Sequence, residues 1–403
     1  MVPAVIVSGG GSPGAYDIVR ALGLAGIPSI VASSQEDDIA FASRHTCDGV
    51  QLPAFSPEND AAIVDRLQRV GRGQPKRPPL FYVGDAELAF VHRHRGTLRP
   101  YFHFLLPTAD VLTALMNKSL FHGLALKHGL PVPRTELFAD AADVQQRLDD
   151  LTFPCIVKPS FNGDWFWRTP EERKRLPSYK RALRRFDSKE ALLEFCDALP
   201  PSAAGLLIQS YVEGGDDAIT TFHGYFDDQS NCLGYFLGQE VRTDPPGTGE
   251  SVYSRTIHDP ALARRSIDSL TRIGISGIVK IDYKIEARSN DVVVMEIEPH
   301  YQFWHLLGAY AGVNLPFLAY EHQKGLATTG GGDYADDLHM LYLRKDVRAF
   351  WLGYRRTGEW TFSSYVKSHA KDKRYRVFDP TDPLPFVRSV TGFVRRGIAR
   401  VAA

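Results

Sequence analysis

The sequence predicts a mixed α/β protein: a Rossmann-like βαβ start, a strand-rich middle of α+β lobes and a helical end. Three observations carry that expectation. An apolar strand at residues 4–7 runs through a glycine-rich turn into a helix over about 15–25 and a second strand at 29–32, the pattern of a βαβ unit. Apolar residues alternate with polar ones over 277–285, so Val279, Ile281, Tyr283 and Ile285 share one face and Asp282 takes the other. Near the C-terminus, Val387, Val390, Val394, Ile398 and Val401 fall on one helical face while Arg388, Arg395, Arg396 and Arg400 lie elsewhere.

At 403 residues the chain has room for two or three domains. Its 47 basic residues balance 47 acidic ones, so bulk charge gives no reason to expect a nucleic-acid partner. Cys47, Cys155, Cys196 and Cys232 are scattered without metal-type spacing, which suits reduced thiols in a cytoplasmic protein. The start lacks the basic segment and cleavage site of a signal peptide. No stretch approaches the roughly 20 apolar residues of a membrane span.

In chain order, the first turn reads Ser8-Gly9-Gly10-Gly11-Ser12-Pro13-Gly14. It is not G-x-G-x-x-G and Pro13 removes a donor, so a tight strand-to-helix turn is expected rather than a dinucleotide site; a small-ligand contact stays open. Strands at 80–83 and 102–106 continue this unit, and 73–79 is a surface connection. Asn117-Lys118-Ser119 opens a helix to Lys127, which Gly129-Leu130-Pro131-Val132-Pro133 stops. The strand at 153–159 carries Lys158 near its end. Over 161–189, Trp165, Phe166 and Trp167 mingle with eight or more basic residues, which reads as a loop over an active site. A strand, linker and turn follow at 206–217, then a hairpin of 218–226 with 234–240, a loop at 243–250 and a helix at 260–273.

The strand at 292–298 ends by placing Glu296 and Glu298 on one face. Pairing Glu286 with Val292 sets Asp282 opposite Glu296 and brings both apolar faces together. Three carboxylates on one face of a ribbon repel each other unless a hard cation such as Mg²⁺ joins them.

The order of these pieces resembles the ATP-grasp superfamily. The resemblance rests on Asn117-Lys118 with the 129–133 stop, Pro154-Cys155-Ile156-Val157-Lys158-Pro159, the 208–216 run, Asp282, and Met295-Glu296-Ile297-Glu298-Pro299-His300. Within the superfamily the chain is most similar to the D-aspartate ligase-like and carbamoyl-phosphate-synthetase-like carboxylate–amine ligases. This implies a pre-ATP-grasp domain at 1–107, an ATP-grasp domain at 108–330 with lobes of about 108–205 and 206–330, and a C-terminal extension at 331–403.

It further implies that Lys118 and Lys158 contact nucleotide phosphates, that Gln209, Tyr211 and Val212 frame adenine, and that Asp216 or Asp217 takes the ribose. Asp282, Glu296 and Glu298 would hold Mg²⁺, with Mn²⁺ as an alternative. The implied reaction joins a small-molecule carboxylate to an amine through an acyl phosphate, with release of ADP and phosphate. The sequence departs from the usual Glu-x-Asn-x-Arg ending at Glu298 and His300, and from the usual glycine- and serine-rich loop after Lys158. His300 can stand in for arginine only when protonated. Arg242 is the expected oxyanion-stabilising cation; His305 and Tyr301 are expected to line the substrate pocket, Tyr301 alternatively to pack. An ATP-binding sensor or scaffold, or a ligase with a non-amine acceptor, are the competing readings. The terminal helix could lie on an anionic membrane surface, pack on its own domain or join a homodimer.

Overall fold

The computed structural model describes residues 1–10, 13–159, 185–199, 203, 205–326, 328 and 331–401, with side chains through Phe393. Most of the basic, aromatic stretch at 161–189, including all three of its aromatics at 165–167, lies outside the described residues.

Three sheets organise the molecule. The first contains β1 (Ala4–Ser8), β2 (Ser29–Ser33), β3 (Thr46–Gln51) and β4 (Leu80–Tyr82), parallel and in the order β3-β2-β1-β4. β3 escapes a hydrophobicity reading because Thr-Cys-Asp-Gly-Val-Gln is a largely exposed edge. The expected strand at 102–106 is not formed; only His103 bridges Pro79. Pro78 and Pro79 have no N–H to donate, so a ladder cannot extend there. In the first turn, Gly9 N–H donates to the Glu87 carboxylate, which burial pushes up to about 7. That donor is therefore taken by the protein itself.

The second sheet is antiparallel, β5 (Thr135–Phe138), β6 (Cys155–Pro159), β7 (Arg185–Phe186) and β8 (Leu206–Ser210), ordered β5-β8-β6-β7. It has its own small core of Phe138, Val157, Leu192, Phe195 and Ile208.

The third sheet holds seven strands: β9 (Ile219–Phe226), β10 (Cys232–Asp244), β11 (Glu250–Ile257), β12 (Gly277–Ile285), β13 (Val292–Glu298), β14 (His339–Leu341) and β15 (Lys373–Tyr375), in the order β13-β12-β9-β10-β11-β14-β15. β10 runs longer than expected and β11 is a strand the sequence reading did not include, so the 243–250 loop shrinks to a turn at 245–249. β14 and β15 extend the sheet from within the stretch expected to be a helical extension. Each has only three residues, too short for a period-two pattern to register. The helix Pro260–Ile273 packs on one face of the sheet. Asp259 accepts from Leu262 N–H at its start, Pro260 stands where an N–H is dispensable, and Gly274 closes it at φ 81°. A large core shared by β1, β2, β4, Gly14–Leu24, Phe236, Ile278 and the Trp304–Ala311 and Leu315–Gln323 helices joins the first and third sheets.

Candidate active site

The β12–β13 ribbon sets Asp282 opposite Glu296 and Lys280 opposite Glu298. The turn-end register is Ile285 with Val292, one residue off the expected Glu286 pairing; Met295 is the unpaired residue that absorbs the shift. Carboxylate oxygens of Asp282, Glu296 and Glu298 come within 4.8 Å of one another. Burial works against keeping all three charged. Asp282 is pushed up by burial, with Glu298 and Glu296 adding to the effect and Lys280 opposing it. Glu298 is held well below the ordinary range because Lys280 and His300 outweigh its burial.

The sequence reading missed Lys280. Its ammonium lies 2.7 Å from Asp282 Oδ2 and 3.0 Å from Glu298 Oε2. Burial alone would discharge it, but Asp282, Glu298 and Glu296 raise it above the ordinary lysine range. Its position two residues before Asp282, on the same strand face, was the available signal. Glu240 was missed too. The pairings Asp282–Thr221–Gly238 put it on the Asp282 face, its carboxylate accepts no hydrogen bond among the described residues, and burial with Asp282 nearby raises it well above the ordinary value.

His300 sits 3.7 Å from Glu298 and 3.6 Å from Asp85. Burial would neutralise the ring, but Glu298 and Asp85 raise it to about 9, which satisfies the condition for replacing an arginine. His305 differs: burial lowers it to about 3, its Nδ1 accepts from Gln302 N–H at 3.2 Å, and its Nε2 is buried without a partner. Tyr301 packs against Phe81 and Tyr82, with ring centroids at 4.8 and 5.5 Å, so its place is in the core.

A cavity of about 530 Å³ collects Lys118, Lys158, Gln209, Glu296 and Glu298 against an apolar wall that includes Met116, Phe121, Val132 and Val294. Asn117 accepts from Ser119 and Leu120 N–H, which starts the Lys118–Lys127 helix and sets Lys118 at its N-terminus. Burial lowers the Lys118 ammonium and pushes Lys158 down to about 8, with Glu296 opposing. Lys158 Nζ donates to Gln209 Oε1 at 2.9 Å, and Gln209 Nε2 donates to Thr135 Oγ1 at 3.0 Å. Tyr211 and Val212 follow β8, outside the cavity lining. Arg185 and Lys284 lie 4.7 and 5.0 Å from the Tyr211 ring centre.

Two expected sites go elsewhere. The Asp216 carboxylate accepts from Thr243 Oγ1, Gly247 N–H and Tyr354 Oη, so internal donors fill the acceptors a ribose would need. Asp217 is exposed and borders a second cavity. Arg242 is also redirected. Glu240 pairs with Ser254 and Arg242 with Tyr253, leaving Val241 as a bulge. Arg242 therefore points to the face opposite Glu240 and Asp282, where it donates to Asp346 at 2.6 and 3.2 Å and to Ser368 at 3.0 Å. A fully buried arginine held this way cannot reach a substrate in the 530 Å³ cavity.

The residues present fit Mg²⁺. The ribbon offers hard oxygen donors, and Asp282 Oδ1 is buried without a hydrogen-bond partner among the described residues.

No family model matches the chain. A D-aspartate ligase of Enterococcus faecium (strain Aus0004) is 21% identical over 338 residues, covering 80% of this chain and 77% of that protein. An L-amino acid ligase from Bacillus licheniformis superposes with a TM-score of 0.59 at 16% identity, over 81% of this chain and 75% of that one. The biotin carboxylase domain of the Hydrogenobacter thermophilus 2-oxoglutarate carboxylase, solved as a dimer with MgADP, ADP and bicarbonate, gives 0.60 at 14%, over 84% and 74%. These likenesses show that the chain shares the ATP-grasp fold, and among the proteins it is similar to are ligases that act on D-aspartate and L-amino acids.

Proposed function

We propose that the protein is an ATP-dependent carboxylate–amine ligase working through an acyl phosphate. The observation that carries this is one cavity whose lining brings Lys118 and Lys158 together with Glu296 and Glu298 of the carboxylate ribbon. Phosphoryl transfer depends mainly on positioning and charge neutralisation. In this reading Lys118 and Lys158 bind the nucleotide phosphates, Gln209 presents an amide to the base, and Tyr211 and Val212 border it. Mg²⁺ bound by Asp282, Glu296 and Glu298 would neutralise the phosphates and orient them. The substrate carboxylate attacks the γ-phosphate; the amine then attacks the acyl carbon and phosphate departs. His300, kept charged by Glu298 and Asp85, supplies the cation that Arg242 cannot. Incubation with ATP, Mg²⁺ and pooled acids and amines tests this: ADP should form only with a matched pair, alongside a product whose mass is their sum less water.

Lys280 favours a second reading. Its ammonium already bridges Asp282 and Glu298, a place where a cation would otherwise sit, as expected of an ATP-binding sensor. Tight ATP binding without ADP formation under any acid–amine pair would establish that reading.

A further inference from the structure

The C-terminal stretch exposes apolar surface that the rest of the molecule keeps inside. Of the eighteen exposed large apolar side chains among the described residues, twelve fall between Leu343 and Phe393, so the exposure is a regional property rather than ordinary scatter. Five belong to the Leu384–Val401 helix: Leu384, Phe386, Val387, Val390 and Phe393. The helix lies along its own domain rather than projecting from it. Phe386 meets Phe378 with ring centroids 5.3 Å apart, and the Arg344 guanidinium stands 4.9 Å over the Phe393 ring. Beyond Arg344 the apolar surface continues through Val347 to Trp351 and Phe362, whose rings are 6.5 Å apart.

Charge decides what covers this surface. The helix carries Arg388, Arg395, Arg396 and Arg400 and no acidic residue, in a chain whose net charge is zero. Two such helices brought together repel each other, whereas anionic lipid headgroups attract each arginine by about 1 kcal/mol. No helix among the described residues is long and apolar enough to cross a membrane. A basic helix with exposed large apolar side chains is instead built to lie in the headgroup layer. We propose that this face docks on an anionic lipid bilayer, with Phe386, Val390 and Phe393 entering the interface and Arg388 meeting the headgroups. The proposal is independent of the ligase reading.

The test is co-sedimentation of the full chain with phosphatidylcholine vesicles, with and without phosphatidylglycerol, across a salt series. Binding only to the anionic vesicles, weakening as salt rises, is the expected result. The double variant Val390→Ser/Phe393→Ser should lower partitioning at least tenfold and Arg388→Gln several-fold, while the circular-dichroism spectrum of the folded protein is retained in both. Equal partitioning onto both vesicles, or none, overturns the proposal. So does a dimer in solution that the double variant dissolves while vesicles bind nothing, which would assign the face to a second copy.

Discussion

The third sheet buries charge on both its faces, and the two burials are opposite in kind. On one face Arg242 meets a single carboxylate, Asp346, in a two-point pair, and its third nitrogen donates to Ser368. Tyr253, Trp360 and Tyr365 surround the guanidinium within 4.9 Å of their ring centres. On the other face Asp282 and Glu298 share Lys280, Glu298 also faces His300, Glu296 adds a third carboxylate, and Asp282 Oδ1 has no hydrogen-bond partner among the described residues. A closed, balanced cluster holds the C-terminal segment against the sheet. A cluster that leaves a buried carboxylate oxygen without a hydrogen bond among the described residues is open to a cation from outside. Burial alone does not separate structural charge from functional charge; the balance of donors and acceptors does.

Removing one partner from the balanced site should have the largest effect. Asp346→Ala strands the Arg242 guanidinium and should cost about 3–5 kcal/mol, read as a lower denaturant midpoint. At the open site stability should not suffer. Glu296→Gln relieves repulsion, so Tm should hold or rise while Mg²⁺-dependent ADP formation drops at least 100-fold, about 3 kcal/mol in the barrier. A lower Tm with intact turnover would reverse the two assignments.

A third cluster tests whether balance predicts acid sensitivity. Burial would raise Glu250, but Arg376 and Lys345 outweigh it and hold the carboxyl at about 2, against an ordinary 4.5. A depressed carboxyl contributes its stability above about pH 4.5 and loses it as pH falls through 2. Glu250→Gln should therefore cost on the order of 3 kcal/mol near neutrality, and its Tm should converge on that of the unsubstituted protein as pH approaches 2. The smallest effect belongs to Lys158. Burial brings it down to about 8, so ATP affinity should weaken as pH rises through that value. Lys158→Met should weaken ATP binding about tenfold, roughly 1.4 kcal/mol, and flatten the pH profile, measured by calorimetry.

Parts of this site were legible from local pattern. The helix at 260–273 and the strands at 277–285 and 292–298 emerge at their expected bounds, because capping and period-two alternation are written in neighbouring residues. The Asp282–Glu296 pairing was readable as well, but the one-residue shift at Met295 toward the turn was not. Arg242 was not. Its face depends on one unpaired residue, Val241, and an alternation count places it with Glu240. Asp216 was similarly opaque, because Tyr354 lies 138 residues away.

By itself, then, the sequence determined the α/β class and the carboxylate ribbon, since strand period and helix capping act over a few residues; Lys118 and Lys158 were singled out only by the resemblance. Only the tertiary structure decided how each charge is balanced. It turned Arg242 to the far face, filled Asp216 with internal donors, charged His300 and set Lys280 between two carboxylates. Electrostatic balance in a low-dielectric interior depends on groups distant in the chain, and distance along the chain carries no record of it.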